Sequence, residues 1–151
     1  MATQRNETEL ERLDRNTAEL VGELRVAATG VQVLFAFLLI VPFNNRWSKV
    51  TAFERHVYYV TLLCVAVAAV LLIAPSIHHR VLFRYGQKEF IVSVGNRLAI
   101  IAAVFLTVGL TGIVVLISDF LFGHAAALVG GACAAVFTTG LWFALPWRKR
   151  K

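Results

Sequence analysis

The 151 residues are 58% hydrophobic and 16% charged, with a mean hydropathy of +0.71, where an ordinary soluble domain has roughly a quarter of its residues charged. That balance excludes a water-soluble globular domain and requires apolar side chains to meet lipid. The net charge of +6 does not point to nucleic acid as a partner, because the basic residues sit between apolar runs and form no stripe interleaved with stacking aromatics.

The opening segment, MATQRNETELERLD, is polar and lacks the apolar core and small-residue cleavage site of a removable leader. Asn6-Glu7-Thr8-Glu9 has the pattern of a helix start, a capping side chain followed three residues later by a glutamate that answers the free amides. Leu10, Leu13, Thr17, Leu20, Leu24, Ala27, Val31 and Leu34 then recur at steps of three and four, one stripe along a helix that runs from water into the bilayer. The spacing predicts a continuous helix over about 7–43. Its residues 1–25 form a cytoplasmic amphipathic segment that either lies on the membrane or projects as a coiled-coil arm toward another chain.

Four charge-free runs are long enough to cross a hydrocarbon layer of about 30 Å, which takes about 20 helical residues. They cover about 26–43, 57–75, 98–118 and 120–147, with Gly123 opening the last helix, so that 26–147 is the transmembrane domain and 148–151 a basic tail. Pro42, Pro75 and Pro146 fall at the ends of runs, where a missing N–H is tolerated. Between the second and third runs, SIHHRVLFRYGQKEFIVSVGNR reads as two helical extensions broken at Tyr85-Gly86, a cytoplasmic hairpin. The predicted fold is an all-α membrane protein, a four-helix transmembrane bundle.

Orientation follows from Lys and Arg, which are in excess in cytoplasmic loops. Arg5, Arg12, Arg15, Arg25, Arg80, Arg84, Lys88, Arg97, Arg148, Lys149, Arg150 and Lys151 fall on one side, and only Arg46, Lys49 and Arg55 on the other. Both termini are therefore expected in the cytoplasm, and the basic side is expected to meet anionic lipid.

Ionisable groups at membrane depth, which proton-coupled transport uses, are missing from the runs. Glu19, Glu23, Arg25, Asn96 and Arg97 are expected to gather at the cytoplasmic interface and orient the first and third helices. A second stripe on the first helix, Ala18, Gly22, Arg25, Thr29, Gln32 and Ala36, is small or polar, and the Gln32 amide is expected to bond to another helix because lipid leaves it unsatisfied. Its alternative role is to line a polar passage with Thr107 and Thr111. On the fourth helix, Ala127, Gly131, Ala135 and Thr139 repeat every four residues, and Ala126, Gly130, Ala134 and Thr138 do so beside them, a small-residue face for close packing inside the bundle or between protomers. Cys64 and Cys133 lie inside apolar runs and the histidines match no metal spacing, so neither metal nor cofactor is expected. No hydrolase, nucleotide-binding or dinucleotide motif occurs, so the chain does not read as an enzyme.

The segments ELVGELRVAATGVQVLFAFLLIVPF, YYVTLLCVAVAAVLLIAPSIHHRVLFR and GNRLAI resemble an actinobacterial family of small integral membrane proteins of unknown function, some labelled sodium:proton antiporter. The matching positions are Glu19, Glu23, Arg25, Gln32, Pro42, Pro75, His79, Arg80, Asn96 and Arg97. The resemblance implies a multi-pass protein of a bacterial plasma membrane. The residues themselves favour a non-enzymatic subunit or scaffold that holds a membrane-protein partner, or copies of itself, through the small-residue face and the N-terminal arm. The alternative is an oligomeric small transporter or channel for a cation, proton or small solute, with Gln32, Thr107 and Thr111 toward the pathway and Glu23 at its mouth.

Overall fold

A computed structural model describes residues 8–82 and 88–148 of the chain, and the described residues contain helices and no strand. Helix α1 is Glu9–Ile40, α2 Ala52–Leu82, α3 Lys88–Phe122 and α4 His124–Thr139; two 3₁₀ turns, Val41–Phe43 and Asn45–Lys49, join α1 to α2. A π-helical turn, Gly140–Ala144, carries α4 into one final turn, α5, at Leu145–Trp147. Four helical stretches are long and apolar enough to cross a membrane, the fourth running from α4 through the π turn to α5, His124–Trp147. Tyr85-Gly86, the expected break of the hairpin, lies outside the described residues, as do Asn6 and the tail beyond Arg148.

Local chemistry sets the helix starts. Thr8 caps α1: its hydroxyl accepts from the Glu11 N–H at 3.4 Å, and the Glu11 carboxylate accepts from the Thr8 N–H at 2.9 Å. The cap thus falls two residues after Asn6, because Thr8 and Glu11 repeat the same spacing of capping oxygen and carboxylate. These bonds, the backbone one first and that from the Thr8 hydroxyl second, hold the Glu11 carboxyl below its ordinary range, well before the apolar run begins at Val26. Helix α2 begins the same way, with Glu54 accepting from the Thr51 N–H and hydroxyl, both at 2.7 Å, and returning its own N–H to the hydroxyl at 3.2 Å.

Pro75 departs from its expected place. Helix α2 continues past it to Leu82, and the proline is buried inside the helix. A proline there removes one backbone bond, but its ring fills the space left by Gly95 on α3. A methyl group at Gly95 would stand 3.4 Å from Pro75 Cβ and 2.9 Å from Leu20 Cδ2. The missing side chain at position 95 is what lets α1, α2 and α3 converge.

At the other end, α3 stops at Gly123, whose φ of 85° and ψ of 177° lie in a region open essentially only to glycine. Its N–H closes onto the Asp119 carbonyl at 2.9 Å and its carbonyl accepts from Ala127, so a single residue turns the chain from α3 into α4. At the end of the fourth span, Pro146 has no N–H for the Trp142 carbonyl, and the turn around it widens to π, with Leu145 donating to Gly140.

The core lies among α1, α2 and α3, formed by Leu24, Ala28, Val31, Leu38, Tyr58, Val65, Ala68, Leu72 and Ala102. Helices α2 and α3 make the closest pair: a side chain at Gly112 would collide with the Thr61 hydroxyl and stand 3.2 Å from Thr61 Cβ. Helix α4 packs along α3 and meets the start of α2 through Phe53 against His124, ring centroids 5.8 Å apart. The bundle is therefore open, a three-helix core with the fourth helix laid on its flank.

Candidate functional site

Two concave places flank this core, one at each end. At the end of the 3₁₀ turns, a cavity of about 430 Å³ is walled by Leu38, Ile113, Leu116, Phe120, Trp47 and Tyr58, with Glu54 and Arg46 among its polar residues. The cavity keeps its shape through one buried bond. Pro42 stands four residues after Leu38 and has no N–H to give it; the Leu38 carbonyl instead accepts from Val41 and, at 2.9 Å, from the Tyr58 hydroxyl. Trp47 then lies edge-on to the Tyr58 ring, centroids 4.9 Å apart. Glu54 is buried, its Oε2 held by the Thr51 cap. Such a cavity suits an apolar group. Nearby, the buried Asp119 carboxylate is hydrogen-bonded to Nδ1 of the exposed His124, tying the end of α3 to the start of α4.

At the opposite end, Val21 and Arg25 of α1 face Ser76, Ile77, His79, Arg80 and Val81 of α2 across an open groove of about 770 Å³. Its charged lining among the described residues is basic.

Of the five residues expected at the interface, Glu19, Glu23, Arg25, Asn96 and Arg97 all lie on exposed faces. Glu19 pairs with Arg15 one turn earlier on its own helix, at 3.7 Å, and among the described residues no side-chain bond joins Glu23 or Arg25 to Asn96 or Arg97. The contact between α1 and α3 is apolar instead, Leu20 over Gly95. Gln32 lies on the exposed face of α1. Thr107 bonds to the Ala103 carbonyl of its own helix at 2.9 Å, and Thr111 faces α4, its Cγ2 4.0 Å from where a methyl at Gly131 would stand. The structure does not gather Gln32, Thr107 and Thr111 on one interface.

The small-residue face of α4 is taken up inside the chain. Ala127 and Gly131 are buried, Gly130, Ala134 and Ala135 half-buried, and a methyl at Gly131 would come within 2.5 Å of Val115 Cγ2 on α3. A methyl at Gly130 would stand 3.1 Å from the Ser118 hydroxyl. The stripe of the N-terminal helix is similarly occupied, with Thr17, Leu24 and Val31 buried in the single chain. The Thr51–Glu54 cap, the Tyr58–Leu38 bond and the Asp119–His124 pair were not singled out from the sequence. The first had a signal, a threonine three residues before a glutamate ahead of an apolar run; the other two join residues through the fold.

The model of a family of unknown function, DUF6328, matches residues 6–146, a stretch that includes all four spans. The chain belongs to the DUF6328 family. No curated protein and no solved structure matches it. In this DUF6328 chain the two concave places and the exposed stripe of α1 are thus read from their own chemistry.

Proposed function

We propose that this DUF6328 protein is a non-enzymatic subunit or scaffold of a bacterial plasma membrane, with both termini in the cytoplasm, that associates with a second membrane helix through α1. The observation that carries this reading is Gln32. Its amide lies on the exposed face of α1, six residues into the apolar run that starts at Val26, with no hydrogen-bond partner among the described residues. Hydrocarbon offers an amide nothing, and a bond to another helix recovers about 0.6–2 kcal/mol. Thr29 and Ala36 flank Gln32 on the same exposed stripe and present little bulk to an approaching helix. Much of the small-residue face of α4 packs against α3, and Thr17, Leu24 and Val31 of the α1 stripe are buried in the single chain, which favours the Gln32 stripe as the surface for a partner.

The cytoplasmic assignment of the termini rests on the asymmetry of Lys and Arg. The transport alternative has less support, since Gln32 and Thr111 belong to different interfaces and the apolar runs carry no carboxylate.

The test is purification of the tagged chain from its native membrane in mild detergent, with the mass of the intact complex and the identity of each co-purifying chain. The expected result is a stoichiometric partner or homo-oligomer that Gln32→Leu weakens and that Gln32→Cys cross-links through position 32. A monodisperse monomer carrying a specific activity overturns the proposal.

A further inference from the structure

We propose that the groove between α1 and α2 at the basic end holds the phosphate of an anionic membrane lipid. Its anchors come from two helices. Arg25 immediately precedes the apolar run of α1, and Arg80 follows the apolar run of α2 that closes at Pro75. Both guanidinium groups therefore stand at the depth where a bilayer carries its phosphates. Two guanidinium groups lining one groove can offer phosphate oxygens forked N–H donors, and the Ser76 hydroxyl in the same groove adds one more donor.

The described walls of the groove gather positive charge. Among the described residues no carboxylate lines it. Glu23, two residues before Arg25, projects from the far side of α1, and Glu19 is paired with Arg15. Neither Arg25 nor Arg80 has a side-chain partner among the described residues. His79 lines the groove beside them.

The remaining walls favour a lipid over a free phosphate ion. Val21, Ile77 and Val81 are apolar, and Ile77 and Val81 are 55% and 66% exposed, so the groove opens sideways onto the lipid-facing surface. A phosphate held between the arginines would have its glycerol and first acyl carbons against these side chains. A soluble ion would leave the same apolar walls wet. The assignment does not depend on association through Gln32.

The experiment is native mass spectrometry of the full chain in detergent, titrated separately with phosphatidylglycerol, phosphatidylcholine and inorganic phosphate. Phosphatidylglycerol should bind in preference to phosphatidylcholine. Arg25→Gln combined with Arg80→Gln should weaken it about thirtyfold, from two basic contacts of about 1 kcal/mol each. Arg46→Gln with Lys49→Gln, at the other end of the bundle, should leave it unchanged. Size-exclusion chromatography establishes that each variant remains folded, and single arginine variants take the place of a double variant that does not. Phosphatidylglycerol affinity retained in the arginine variants, or lost equally in the control, overturns the assignment. So does inorganic phosphate that binds as tightly as the lipid, which would make the groove a site for the soluble ion.

Discussion

Thr111 and Tyr58 show how differently two buried hydroxyls act in one membrane bundle. The Thr111 hydroxyl is buried with no hydrogen-bond partner among the described residues, whereas that of Tyr58 satisfies a carbonyl that Pro42 has deprived of its helical donor. Replacing an unsatisfied polar group by a methyl of the same shape removes a desolvation penalty; removing a satisfied donor forfeits its bond. Thr111→Val should therefore stabilise the chain by about 1 kcal/mol and Tyr58→Phe destabilise it by about 1 kcal/mol. Thermal unfolding in detergent checks both, and shifts of the same sign would contradict the assignment. The Thr51–Glu54 pair belongs to the same scale and, though not singled out, carried a local signal in the sequence, since a capping pattern joins residues only three apart. Tyr58 and Leu38 are twenty residues apart, and no local pattern joins them.

At the scale of elements, glycines decide how the helices meet and where they turn. Gly123 turns α3 into α4 with a backbone that an L side chain resists, so Gly123→Ala should cost about 1–3 kcal/mol through strain alone. Gly112 acts by contact. Gly112→Ala should cost about 1–3 kcal/mol by overpacking, and Thr61→Ala in the same chain should recover part of the loss, because the colliding atom is the Thr61 hydroxyl. A double-mutant cycle in detergent unfolding reads that coupling, and strict additivity of the two substitutions would remove the contact as the cause. Pro75 teaches the converse lesson. In the sequence it closes an apolar run, yet in the fold the helix carries on through it, because Gly95 and Leu20 pack where the ring stands and offset the lost backbone bond.

For the whole molecule, the open arrangement and the proposed orientation have separate consequences. The fourth span is the least buried of the four and rests on α3, so α4 should be the first to lose amide protection in hydrogen exchange, ahead of α2. Slower exchange in α4 than in α2 would contradict the open bundle. Orientation is tested by labelling. Ser48→Cys should react with an impermeant maleimide in intact cells, and Ala18→Cys only after the membrane is opened; the reverse pattern would invert the topology.

The sequence by itself determined that the chain is helical and that four of its segments are long and apolar enough to span a membrane. The reason is that lipid forces every backbone group to be satisfied within its own helix, so a charge-free run of sufficient length has one stable outcome. Only the tertiary structure decided which faces meet. Lipid tails and neighbouring helices are equally apolar, so no contrast in hydrophobicity marks the buried side of a span. The choice falls to steric fit between residues far apart in sequence: Gly95 under Leu20 and Pro75, Gly112 against Thr61, Gly131 against Val115. That fit turned the small-residue face of α4 inward, left Gln32 outward on α1, and set Arg25 across a groove from Arg80.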